Sequence, residues 1–134
     1  MAAPRSAEQL VDEAYRAWNS GGPRAFVEFA TESVELHDAP ELPDAQEWLG
    51  RDPVVARLEE VAAAIGGRWA DVDDIRPVGD EIVVSLTWRL DKASPMTLAC
   101  LYHAVAVEGD RIARVRVFLD QEAATRAALG AADS

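Results

Sequence analysis

Asp38, His103, Tyr15 and the triplet Arg89-Leu90-Asp91 are the side chains of this chain best suited to acid/base chemistry beside an apolar surface. Strand alternation through VELHD puts Val34, Leu36 and Asp38 on one face and Glu35 and His37 on the other. A carboxylate ending an apolar face can act as a general base in a pocket; the plainer reading is a cap on the turn before Pro40. His103 interrupts an apolar run, as a pocket donor or acid does, and as a hydrogen-bonded core or interface histidine also does. Tyr15 and Trp18 fall on the apolar face of a helix, where core packing and ligand contact coincide if the fold is hollow. Arg89 and Asp91 read as a surface ion pair at a strand end. His37, Asp38 and His103 lack metal-ligand spacing, so no metal site is expected. Asp71, Asp73 and Asp74 read as solvated charge, and Cys100, among apolar neighbours, as a buried inert thiol.

These side chains need elements to hold them. From Asp80 to Leu119 the chain reads as three long strands, EIVVSLTWRL, MTLACLYHAVAVE and RIARVRVFL, separated by DKASP and by a Gly109-Asp110 turn. Runs so rich in β-branched and aromatic residues, so tightly punctuated, predict an antiparallel meander. Upstream, Ser6 and Gln9 form a capping box before a helix carrying Leu10, Val11, Ala14, Tyr15, Ala17 and Trp18 on one face. Ser20-Gly21-Gly22 ends it, and Pro23 opens a short second helix.

A strand at Val34 to Asp38 and a proline-bearing loop from Ala39 to Gly50 follow. Asp52-Pro53 starts a third helix, with Val54, Val55, Leu58, Val61, Ala62 and Ile65 buried and Gly66-Gly67 as its stop. Arg68 to Pro77 adds a strand, and Asp120 caps a last helix running to Leu129. Helices segregated from strands predict a single α+β domain over 1–134, a curved antiparallel sheet with helices on one face and a concave apolar interior.

The net charge of −11 opposes binding to phosphate backbones or anionic lipid, so no nucleic acid and no membrane partner is expected. Hydrophobic residues at 49% and charged residues at 28% fit a folded globular chain. MAAPRSAEQL lacks the apolar core of a secretion signal, and a cytoplasmic location is expected.

The strings AYRAWNSGGPRAFVEFA, VELHDAP, LGRDPVVARLEEV and EGDRIARVRVFLDQEAA, in this order, resemble the nuclear transport factor 2-like superfamily and within it the SnoaL-like proteins. The resemblance implies a cone-like, cystatin-like α+β barrel with a central pocket, a homodimer through the sheet, and no metal or organic cofactor. Its implied ligand is a hydrophobic small molecule. The implied chemistry is cofactor-free isomerisation, cyclisation or hydration of a hydrophobic cyclic metabolite; the alternative is a non-catalytic binding or dimerisation module. On the ketosteroid isomerase pattern Asp38 is the base and His103 and Tyr15 the donors. On the limonene-epoxide hydrolase pattern Arg89 and Asp91 fill two positions, while the second aspartate falls on Val117 and two water-positioning residues fall on Leu36 and Asp38.

The implied lining is Trp18, Phe29, Leu36, Trp69, Leu101, Val117 and Leu119. Alternation alone sends Ile82, Val84, Leu86, Trp88 and Leu90 inward and Arg89 to solvent. The resemblance reverses this and gives the Trp88 face to a dimer partner, so the two readings stand opposed.

Overall fold

The computed structural model describes residues 5–67 and 69–133, with side chains described as far as Gly130. Helix α1 (Ala7–Val27) opens on the expected capping box: Gln9 N donates to Ser6 Oγ at 3.1 Å and Ser6 N to Gln9 Oε1 at 2.9 Å. Gly22, at φ 79°, breaks the helical path just before Pro23, so the two expected helices form one kinked element. Strand β1 (Ala30–His37) starts four residues earlier than its apolar alternation suggested. A short strand β2 (Glu47–Leu49) lies inside the expected loop and pairs antiparallel with β1.

Helix α2 (Arg51–Ile65) is capped by Gly50 at φ 91°, and it ends on left-handed Gly66 at φ 97°. Asp52 therefore lies in the first turn rather than at the cap, and there it pairs with Arg24 at 3.4 Å. Strands β3 (Trp69–Val78), β4 (Glu81–Arg89), β5 (Thr97–Glu108) and β6 (Arg111–Phe118) form the meander, followed by α3 (Gln121–Asp133). Arg68, expected to open β3, lies outside the described residues. Asp120 accepts from Ala123 N at 3.0 Å and so starts α3 as expected.

The six strands run in the order β2-β1-β6-β5-β4-β3. The sheet is mixed rather than antiparallel throughout, because β1 lies parallel to β6, and it ends at β2 and β3 without closing into a barrel. An α+β cone results, with α1 and α2 against the concave face.

Which face of β4 looks inward is settled by the packing. Val84, Leu86 and Trp88 belong to the main core, where Trp88 meets Trp18 edge to face at 5.4 Å between ring centroids. Val83 points the other way, into a smaller cluster with Ala104, Phe118, Ala124 and Ala128 that seats α3 on the convex face. Cys100 is exposed, not buried as expected: Leu101 and His103 take the inward parity of β5, and the thiol takes the outward one.

Candidate functional site

Between α2 and the concave sheet lies a cavity of about 520 Å³, within the size range of small-molecule pockets. Its walls are mainly apolar: Leu36 from β1, Leu58 and Val61 from α2, Trp88 from β4, Leu101 from β5, Val117 from β6, and Leu119 just beyond β6. Polar side chains enter at only a few points, His103, Asp38 and Arg57 among them. A second void of about 20 Å³, room for about one water, lies against α1 and shares Leu36, Leu58, Trp88 and His103 with the first.

His103 sits on β5 between Val84 of β4 and Val117 of β6, and it is only 7% exposed. Its Nδ1 lies 2.6 Å from the Tyr15 hydroxyl, itself buried on α1. Burial lowers the imidazole pKa to about 4 and raises the tyrosine pKa far above its ordinary value, so both groups are neutral at pH 7. A neutral tyrosine this deep must place its proton on an acceptor, and Nδ1 is the one at hand. Tyr15 O–H therefore donates to Nδ1, which fixes the tautomer with the proton on Nε2. His103 thus brings a neutral imidazole, held in one tautomer, to the cavity wall.

Asp38, one residue past β1, takes the inward parity of Val34 and Leu36, and its side chain is 5% exposed. Arg57 of α2 grips it with a fork, Nε to Oδ1 at 3.1 Å and Nη2 to Oδ2 at 3.0 Å. Oδ2 also accepts from Gln46 N at 3.2 Å and from Trp48 Nε1 at 3.4 Å. The guanidinium lies over the Trp48 ring, 5.4 Å from its centroid, so β2 backs the pair with an aromatic face.

A family model, the SnoaL-like domain, matches residues 11–115. The chain belongs to this family. Similar solved structures place it in the wider nuclear transport factor 2-like fold. A protein of that fold from Cytophaga hutchinsonii superposes with a TM-score of 0.66 at 14% identity, covering 92% of this chain and 97% of that one. A hypothetical protein with a ketosteroid isomerase-like fold from Catenulispora acidiphila, solved with trimethylamine, gives 0.64 at 13% identity, covering 84% and 86%. TerC, crystallised with polyporic acid, gives 0.66 at 16%, covering 85% and 91%. Among curated proteins none matches the sequence.

The SnoaL-like fold sets His103 and Asp38 on the cavity, with Tyr15 behind His103 at the small void, and neither space is lined by Arg89 or Asp91. Arg89 faces the convex side, where it binds Asp71 at 2.5 Å and the Ser94 carbonyl at 3.1 Å. Asp91 Oδ1 accepts from Ala93 N and Ser94 N, each at 2.9 Å, and so shapes the β4–β5 turn. The rival pair is thus a set of surface contacts, because β4 turns its Trp88 parity inward. The three aspartates read as solvated charge are also engaged: Asp71 with Arg89, Asp73 with Thr87 and Asp74 with Arg76.

Trp18 lines the small void, while Leu36, Leu101, Val117 and Leu119 line the cavity. Trp69 and Phe29 are corrections. Trp69 faces a surface hollow beside Lys92, with its indole N–H on Asp71 at 2.8 Å. Phe29, after the end of α1, packs at the edge of the core. Sequence reasoning missed Arg57 and Trp48. A signal existed for Arg57, which stands four residues before Val61 on the α2 stripe. Trp48 lay hidden in a segment that reads as loop. Among the described residues no three His, Cys, Asp or Glu side chains gather to hold a metal.

Proposed function

We infer that this SnoaL-like protein binds a hydrophobic small molecule in the 520 Å³ cavity, its polar end meeting the neutral His103 donor. The observation that supports this reading most is the Tyr15–His103 pair, a buried and oriented pair set in mainly apolar walls. Folds of this family host both enzymes and binding modules, so function rests on the site rather than on the fold.

A neutral fluorescent probe, N-phenyl-1-naphthylamine, tests it. The wild type should bind one probe per chain with saturable enhancement. Leu101→Trp, which fills the cavity, should abolish the enhancement while the melting transition stays cooperative. Unsaturable binding, or undiminished binding to the filled variant, would refute the reading.

A catalytic version gives Asp38 the base role and His103 or Tyr15 the donor role in isomerisation, cyclisation or hydration of a cyclic metabolite. Its support is the placement of Asp38 and His103 on one cavity. Against it stands the coordination of Asp38, whose oxygens already accept from Arg57, Trp48 and Gln46. Binding is therefore the leading reading. Epoxide hydrolysis through Arg89 and Asp91 has no support from their positions. A homodimer through the convex sheet would use the part that α3 leaves open, around exposed Cys100.

A further inference from the structure

We propose that Arg57 makes Asp38 a fixed hydrogen-bond acceptor, so that the cavity selects apolar molecules carrying a hydroxyl or another neutral donor. This rests on the cavity-binding reading above and names the ligand class it serves.

The lone pairs of Asp38 carry the argument. An ionised carboxylate offers about four acceptor sites, two on each oxygen. Oδ2 meets Arg57 Nη2, Trp48 Nε1 and Gln46 N, whereas Oδ1 meets Arg57 Nε alone. Oδ1 is therefore the oxygen with capacity left, on a side chain that lines the cavity. The guanidinium fork fixes the plane of the carboxylate, because both of its oxygens are tied to one rigid donor group. Trp48 and the half-buried position of Arg57 hold the fork in turn.

A ligand ketone can use the His103 N–H and gains nothing from Oδ1. A ligand alcohol can donate to Oδ1. Arg57 is thus a positioning residue, acting on the ligand through Asp38.

The test compares three molecules of one skeleton, 2-decalol, 2-decalone and decalin, titrated into the whole chain and followed by tryptophan fluorescence and thermal shift. The wild type should bind the alcohol roughly tenfold more tightly than the ketone, as expected for one charge-assisted hydrogen bond. Arg57→Met should bring that ratio near one while the ratio of ketone to decalin affinity stays as in the wild type, a pattern that a purely structural role does not produce. If Arg57→Met fails to fold, Asp38→Asn, of nearly the same shape, supplies the ratio. Equal binding of alcohol and ketone to wild type would overturn the proposal while leaving the cavity reading intact. A ratio that survives in the variant would overturn the role of Arg57. Failure of all three molecules to bind, together with failure of the naphthylamine probe, would instead overturn the cavity reading itself.

Discussion

His103 couples the site to stability. Its folded pKa of about 4 lies below the ordinary histidine value of about 6.5, so above that value both folded and unfolded chains hold it neutral. As pH falls from about 6.5 to about 4 the unfolded chain binds a proton that the folded one refuses, and stability drops. The loss levels off below about pH 4, at a total on the order of 3 kcal/mol. His103→Leu should flatten that part of the urea-stability profile between pH 7 and pH 4. An unchanged slope would place the pH dependence on other groups. Tyr15→Phe removes the donor to Nδ1 and leaves a buried acceptor unmatched, at a cost of roughly 1–3 kcal/mol. Long-range nitrogen NMR should then show His103 losing its single Nε2–H tautomer.

At the scale of elements, the meander and α1 were legible because their signals are local: β-branched runs, a capping box, glycine stops. The inward parity of Asp38 was legible for the same reason. What escaped depends on contacts between distant segments. β2 exists because β1 offers it a free edge, and the parallel β1–β6 pairing joins segments far apart in the chain. Cys100 shares its apolar neighbourhood with His103, and only the side taken by the helices decided that the thiol points outward.

The link from α2 to β3 shows such a contact in one residue. A Cβ on Gly67 would stand 2.6 Å from Leu90 Cα and 2.7 Å from the Arg89 carbonyl oxygen, while the Gly67 carbonyl itself accepts the Trp88 indole N–H. Gly67→Ala should therefore force β4 and α2 apart, cost roughly 1–3 kcal/mol in urea unfolding and shift Trp88 fluorescence. Gly130→Ala in α3, with nothing within 4 Å of its new carbon, should instead gain up to about 1 kcal/mol. Equal effects of the two would refute the close approach.

At the scale of the whole molecule, the two faces of the sheet have different tasks. The concave face divides between the core beneath α1 and the cavity beneath α2, and the convex face between α3 and an open part. Helix α3 rests on Val83, Ala104 and Phe118 through the small side chains of Ala124 and Ala128. Beside it Glu81, 3% exposed, binds Arg114 at 3.0 Å and Arg116 at 2.8 Å, and Arg116 reaches the Ala127 carbonyl at 3.1 Å. Removing one partner from a buried ionic cluster leaves charge without compensation, so Glu81→Gln should loosen α3 and cost several kcal/mol, on the order of 3. The remaining convex surface is where a second copy would sit, with Cys100 as its reporter. If the homodimer forms there, thiol labelling should slow as protein concentration rises through the micromolar range, in step with the dimer fraction seen by sedimentation. Labelling at one rate throughout, with a monomer in the ultracentrifuge, would remove the sheet-mediated dimer and leave the cavity to act within a single chain.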